Sequence, residues 1–233
     1  MSERILEPEW LDHLDAADPR AIRARRELRL VNALMGNARF IARALQGEIG
    51  DGAHIAELGA GDGTLMLRVA RTLRPRPTGV SLALVDRVST VSDDTSARFS
   101  ALGWRVEQHA ADAADWLRSG SSRYDAICAN LFLHHLAPDA LRELFALSAR
   151  RARLFVACEP LRSPLALAAS RALGLIGCGA ETRHDAVVSV RAGFAGSELA
   201  RAWPSAAGWT VEEKRAGLFS HLFRSLAARG ERE

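Results

Sequence analysis

The sequence predicts an α/β protein with a mostly parallel, seven-stranded sheet, helices on both faces and a helical N-terminal lid. Three observations carry this. Five short apolar runs alternate with helix-like segments, a glycine-rich turn directly follows the first run, and two further strand-like runs lie near the C-terminus. Strands that alternate with helices pair in parallel through right-handed crossovers.

In chain order, the first fifty residues read as helical. Asp18-Pro19 supplies a cap and a proline at the first helical position. Leu30, Leu34, Ala38, Ile41 and Leu45 then recur as one stripe, widened by Val31 and Met35. Gly47 and Gly50-Asp51-Gly52 stop that helix. Residues 54–58 form the first strand and 64–73 the next helix, which Pro75 and Pro77 break. Residues 81–85 are the second strand, ending at Asp86; a polar helix over 92–101 leads to the third strand at 104–108. The fourth strand covers 124–129, and Pro138 starts a helix with Leu141, Leu144 and Phe145 on one side. Residues 154–158 make the fifth strand, closed by Glu159-Pro160. An apolar helix over 164–176, a polar loop around Arg183-His184-Asp185, a short helix over 197–203 and strands at 209–213 and 218–223 complete the chain. The expected organisation is a lid over residues 1–50 and a ligand-binding domain over 51–233, folding as one unit.

Composition narrows the class. With 233 residues, 48% of them hydrophobic, the chain can bury a full core and is not of a disordered type. The net charge is only +3, and Lys214 is the one lysine among 31 basic residues. An arginine- and alanine-rich chain of this kind reads as the product of a high-GC bacterial genome rather than as a nucleic-acid surface. Arg23, Arg25, Arg26 and Arg29 have the spacing of a solvated helix face. Three widely spaced cysteines, Cys128, Cys158 and Cys178, show no metal-ligand spacing, so no metal and a reduced, cytoplasmic location are expected. The N-terminus has no apolar run behind a basic start, and the stretch over 164–180 is interrupted by Arg171 and too short to span a bilayer.

The chemistry starts at Glu57-Leu58-Gly59-Ala60-Gly61-Asp62-Gly63. A strand that ends in such a turn and opens a helix lets backbone approach a ligand closely. A dinucleotide site wants G-x-G-x-x-G with its pyrophosphate on the helix N-terminus. Here the third glycine comes one residue early, and Glu57 would repel a pyrophosphate while favouring a cationic, amine-bearing ligand. Asp86 ends the second strand and Asp112 follows the third, so three acids stand at successive carboxyl ends of parallel strands, where ligands of such sheets bind.

This E-x-G-x-G-x-G segment with its two downstream acids resembles the first motifs of the class I S-adenosylmethionine-dependent methyltransferases, from about residue 50 onward. The resemblance implies a Rossmann-like fold and S-adenosylmethionine as cofactor. It implies that Glu57, Gly59, Ala60 and Gly61 hold the methionine part, that Asp86 accepts the ribose hydroxyls, and that Asp112 with Ala113 reads the adenine. Asn130 and Leu131 would complete the cofactor pocket after the fourth strand.

Asn130-Leu131-Phe132-Leu133-His134-His135-Leu136 resembles the stretch found in ubiquinone, menaquinone and natural-product methyltransferases of small molecules. That resemblance makes His134 the candidate base and Glu159 its orienting acid. Relatives also keep a histidine there merely to line the pocket or cap the next helix. His135, His184 and Arg191 are candidate acceptor-binding residues, with a surface bond between His184 and Asp185 as the structural alternative for His184. His221, among Phe219, Leu222 and Phe223, reads as a core histidine. Asn32, Met35, Asn37 and Arg39 are candidates to close over the cofactor.

Absent motifs sort the reactions. No D/N-P-P-aromatic sequence follows the fourth strand, no Pro-Cys pair offers a nucleophile for cytosine, and Asn130 has no neighbouring carboxylates for a catechol-type metal site. Metal-independent transfer to a hydroxyl or activated carbon of a small aromatic or apolar metabolite is the expected function, with neither nucleic acid nor membrane as partner. An RNA or protein methyltransferase and a non-catalytic partner protein of the same fold are the competing readings.

Overall fold

Runs of alanine, valine, leucine and isoleucine that cannot be shared with water on either side make strands buried on both faces. In the computed structural model, which describes residues 3–15, 18–88, 90–204 and 207–228, four such runs and one largely exposed edge strand lie in parallel. They are β1 (His54–Leu58), β2 (Ser81–Asp86), β3 (Arg105–Ala110), β4 (Tyr124–Asn130) and β5 (Ala152–Pro160). The last two strands, β6 (Trp209–Ala216) and β7 (Ser220–Ala227), form a hairpin, and β7 pairs antiparallel with β5. The sheet order is β3-β2-β1-β4-β5-β7-β6. β1 and β4 are parallel neighbours from which successive strands are added in opposite directions across the sheet, and the crevice at such a switch in strand order is where ligands settle.

The helices between the strands are α3 (Thr64–Thr72), α4 (Asp93–Ser100), α5 (Ala113–Ser119) and α6 (Pro138–Arg151). They follow α1 (Pro19–Met35) and α2 (Asn37–Leu45), and precede α7 (Pro164–Ala172), α8 (Ala180–Ala192) and α9 (Glu198–Ala202). One core packs Ile41 and Leu45 of α2, Met66 and Val69 of α3 and Phe99 of α4 against Ile55, Leu82 and Val156 of the sheet. The opposite core gathers Leu117, Leu144, Phe145, Leu199 and Trp203 over Leu58, Phe155 and Phe223. Ring centroids of Phe145, Phe155, Trp203 and Phe223 lie 5.0–6.2 Å apart. Such aromatic pairs contribute about 0.5–1.5 kcal/mol each beyond their burial.

Three elements differ from the sequence expectation. The N-terminal stripe is not one helix: Gly36, at φ 74°, ends α1 in the left-handed region and turns the chain into α2. Ile41 and Leu45 therefore enter the core, while Leu30 and Leu34 stay exposed on α1. The expected loop around Arg183-His184-Asp185 is helix α8. Its buried face is Thr182, Asp185, Val188 and Ala192, a helical spacing disguised by two polar members. The expected apolar helix over 164–176 is α7 followed by a 3-10 turn, Leu173–Ile176. Among the described residues no helix is long and apolar enough to cross a membrane.

Candidate active site

The glycine turn sits at the carboxyl end of β1, beside the switch in strand order. Its glycines answer different needs. At Gly59, with φ 69°, an added Cβ would lie 2.5 Å from the Phe132 ring, so this glycine makes room for a side chain of the acceptor strand. At Gly61, with φ 53°, a Cβ would meet no atom within 4 Å. Open space therefore begins at Gly61. The Asp86 carboxylate holds the turn in place, accepting from the Gly61 N–H at 2.9 Å and the Val88 N–H at 3.1 Å.

Glu57 is 1% exposed, and its Oε2 has no hydrogen-bond partner. Burial, then the charges of Asp62 and Asp86, push its carboxyl well above the ordinary carboxylate range. A buried acid beside two other acids is costly unless a cation joins it. The amino group of S-adenosylmethionine is such a cation, so the residues present fit the cofactor that the loop implies.

Asp112 does two things at the end of β3. It caps α5, accepting from the N–H groups of Ala114 (2.9 Å) and Asp115 (3.3 Å), and it pairs with Arg87 at 2.9 Å. Burial opposes its ionisation, but Arg87 and the two amides outweigh it and hold its pKa below the ordinary value. Ala113 is buried behind it.

At the end of β4 the Asn130 side chain accepts from Asn37 Nδ2 at 2.8 Å, and Asn37 Oδ1 accepts from the Ser220 hydroxyl at 2.6 Å. This buried chain ties α2, β4 and β7 together. Leu131 follows at φ 50°, the one non-glycine with positive φ among the described residues. L-residues reach that region at a cost, and such strain concentrates at functional sites. Leu131, directly after β4, lines a cavity of about 340 Å³.

That cavity is walled by Leu28, Val31 and Met35 of α1, by Ala166 and Leu173, and by Val190 of α8. Its polar end is made by Glu9, His134, His135 and Ser189. His134 lies in a 3-10 turn, Leu133–His135, that Glu159 organises from the end of β5. The wholly buried Glu159 carboxylate accepts from the N–H groups of Phe132 (3.1 Å), Leu133 (3.0 Å) and His134 (3.3 Å). It also accepts from His134 Nδ1 at 2.8 Å. The ring is thereby fixed with Nε2, a buried atom without a hydrogen-bond partner, toward the cavity. Burial lowers the His134 pKa, but the bond to Glu159 and the nearby Glu9 outweigh it, and it is raised to about 9.

Glu9 is the residue the sequence reading missed. Residues 3–13 run across α8 and the His134 turn as a strap. Arg4 donates to the carbonyls of Ala192 (2.8 Å), His134 (3.0 Å) and Leu136 (3.2 Å) and lies 4.2 Å over the Phe194 ring. The N–H groups of Trp10 and Leu11 donate to Asp185 at 2.8 and 3.1 Å. These anchors bring the Glu9 carboxylate within 3.8 Å of His134 Nε2, where it accepts from the Ser189 hydroxyl. Burial disfavours the charged form of Glu9, but the groups of His134, His135 and Ser189 outweigh it and its pKa is lowered. The only sequence signal was a run of glutamates at Glu3, Glu7 and Glu9, which has no periodicity of its own.

Of the expected acceptor-binding residues, His135 lines the cavity, with its ring 4.1 Å from that of His134. His184 and Arg191 stand outside the lining. His184 stacks on Trp10 at 3.9 Å and bonds to Asp185 at 3.1 Å, so it supports the strap from outside. Arg191, on the last turn of α8, lies 3.7 Å from Glu7. Both sit on a helix rather than a loop, and that turns them from the cavity toward the strap. His221 is buried in β7, with Nε2 2.7 Å from Glu213.

Comparison with known proteins bears on the fold. Residues 55–153 match the family model described as a methyltransferase domain. Among solved structures, an O-methyltransferase family protein from Burkholderia thailandensis is 20% identical, with a TM-score of 0.57, covering 93% of this chain and 62% of its own. The pyocyanin biosynthetic protein PhzM is 18% identical, with a TM-score of 0.62, covering 95% of this chain and 62% of its own. The plantazolicin methyltransferase BpumL, solved in complex with SAH, is 10% identical, with a TM-score of 0.60, covering 91% of both chains. The chain thus spans about three fifths of the length of the first two. No curated protein matches the sequence.

Proposed function

We propose that this chain, an S-adenosylmethionine-dependent methyltransferase of class I fold, methylates the hydroxyl of a small, largely apolar aromatic acceptor held in the cavity between α1, α7 and α8. One observation carries the reading. The cavity is walled mainly by apolar side chains, with Asn32 and Ser170 among them, and where Glu9, His135 and Ser189 gather it presents a buried histidine fixed by a buried carboxylate.

In this reading Glu57 and the backbone of Gly59, Ala60 and Gly61 hold the amino acid part of the cofactor. Asp86 takes the ribose, Asp112 and Ala113 take the adenine, and Asn130 and Leu131 close the pocket. When bound, the cofactor supplies an activated methyl group on a sulfonium centre. The protein's own task is to hold the acceptor oxygen about 3–3.5 Å from that carbon, which is worth roughly 7–11 kcal/mol of the barrier. A phenol with a pKa near 10 is only about one part in a thousand ionised at neutral pH. A group positioned to manage its proton therefore adds about 10²–10⁴ in rate. That group belongs to the polar cluster around the His134–Glu159 pair, and His135 lines the approach. In this reading the lid is the strap over residues 3–13 together with α1 (Pro19–Met35), and α2 packs in the core.

The names of two of the compared proteins, an O-methyltransferase family protein and a pyocyanin biosynthetic protein, fit transfer to a hydroxyl of a small molecule. Incubation with methyl-labelled cofactor and a panel of phenols, read by mass spectrometry, tests it. Labelled aryl methyl ethers are expected. Cofactor binding with label appearing only in RNA or protein would overturn the small-molecule reading.

A further inference from the structure

We propose that Glu9, delivered by the N-terminal strap, is the group that takes the acceptor's proton, while His134 acts as the imidazolium that steadies the forming oxyanion. The inference rests on the hydroxyl-acceptor reading above and assigns the parts within it.

Glu159 accepts from three backbone N–H groups and from His134 Nδ1, which leaves it acting only as an acceptor. Nδ1 therefore carries a proton. The other ring nitrogen, Nε2, faces the Glu9 carboxylate at 3.8 Å in a place where the histidine side chain is 3% and Glu9 12% exposed. A bare lone pair on Nε2 would point at another lone pair in a medium too dry to screen it. A proton on Nε2 turns that repulsion into attraction, and the ring lies between two carboxylates that reward it.

Three other groups face the pair. His135, whose ring lies 4.1 Å from that of His134, and the Ser189 hydroxyl of α8 favour the Glu9 carboxylate, whereas the Arg4 guanidinium, which donates to the His134 carbonyl, opposes a second positive charge and is outweighed by the two carboxylates that flank the ring. The raised His134 pKa and lowered Glu9 pKa point the same way.

A histidine protonated on both nitrogens is a donor, not a base. The 3.8 Å between Nε2 and the Glu9 oxygen leaves room for one acceptor oxygen bonded to both. That oxygen accepts from Nε2–H and donates its own proton to Glu9. As the O–C bond forms from the oxygen lone pair, the sulfonium C–S bond breaks and its electron pair stays on sulfur. The hydroxyl proton ends on the Glu9 carboxylate, so charge and atoms balance without another reactant.

Two experiments on the full-length protein test this. Long-range ¹H–¹⁵N NMR of the histidine rings needs no acceptor. It is expected to show His134 protonated on both nitrogens at neutral pH, with loss of the second proton at lower pH in Glu9→Gln than in wild type. A neutral ring in the wild type, or a titration that Glu9→Gln leaves unmoved, would overturn the proposal.

The second is kinetic, with para-heptylphenol and the more acidic para-nitrophenol as probes. Glu9→Gln should cut kcat on the heptylphenol about 10²-fold. It should cut kcat much less on the nitrophenol, which brings its own anion, and Glu9→Asp should recover part of the loss. Wild-type kcat/KM should fall as pH rises through about 9, because the imidazolium is lost there. A rate that instead rises through that pH makes neutral His134 the base and overturns the proposal. Equal losses on both phenols would reduce Glu9 to a structural strap residue. Normal NMR behaviour with neither phenol methylated by the wild type would count against the acceptor reading alone.

Discussion

The two ends of the proposed active site, one for cofactor and one for acceptor, are built in opposite ways. The cofactor end comes from consecutive pieces of chain: each strand end contributes one acid or turn, from Glu57 through Asp86 and Asp112 to Asn130. The acceptor end is assembled from remote segments, with Glu9 from the strap, Met35 from α1, His134 after β4, Glu159 from β5 and Ser189 from α8. A strand–turn–helix unit fixes its own geometry locally. A cavity closed by distant segments depends on tertiary contacts such as Arg4 on Ala192 or Trp10 on Asp185, between residues 175 or more positions apart. The first design keeps a common ligand in place, and the second leaves the variable partner to be set by whatever packs over it.

Four substitutions would break or sharpen that contrast. His134→Ala should have the largest effect, lowering kcat on a phenol about 10²–10⁴-fold while S-adenosylhomocysteine affinity by calorimetry stays within about threefold of wild type. Parallel losses in both would mean that the two ends are not separable. Glu57→Gln should do the reverse, weakening S-adenosylhomocysteine by roughly tenfold or more, the scale of a lost charged hydrogen bond. The raised Glu57 pKa adds a sign to this test: a carboxyl protonated in the free protein must release its proton when an ammonium group arrives. Calorimetry in buffers of different ionisation enthalpy should show that release in the wild type and not in Glu57→Gln.

Asp185→Ala removes the acceptor for the Trp10 and Leu11 amides. It should cost about 1–3 kcal/mol in denaturant unfolding and raise the phenol KM, with cofactor affinity unchanged. A rise in cofactor Kd instead would show that the strap serves both ends. Arg142→Ala, which breaks only an exposed pair with Asp139 on α6, should change stability by less than about 0.5 kcal/mol and neither substrate constant.

The contrast also explains what could be read from sequence. β1, β2, β4, β5 and the glycine turn were legible because buried parallel strands and the turns that end them leave signals within a few residues; β3, an exposed edge strand, was legible only from its place in the alternation of strands and helices. Even there, the reason for Gly59 was hidden, since the ring it accommodates belongs to Phe132 at the end of another strand. The His134–Glu159 pair was legible only through resemblance. Nothing in the spacing between those two residues says that one carboxylate gathers three amides and a ring. The strap was illegible. Residues 3–13 have no apolar period, and they are held by single bonds to side chains and carbonyls far along the chain. α8 was misread because its buried face includes Thr182 and Asp185, polar residues whose partners, Glu27 and the strap amides, lie elsewhere. Gly36 divided the N-terminal stripe because one left-handed residue redirects a helix without disturbing the pattern of apolar letters.

The central claim is that a locally built cofactor end and a remotely built acceptor end meet at Leu131. A crystal structure of the complex with S-adenosylhomocysteine tests it most directly. The account predicts the amino group beside Glu57, the ribose on Asp86, and the sulfur facing past Leu131 into the cavity that His134 and Glu9 close. A sulfur atom directed away from that cavity, with the cavity walled off from the ligand, would contradict it.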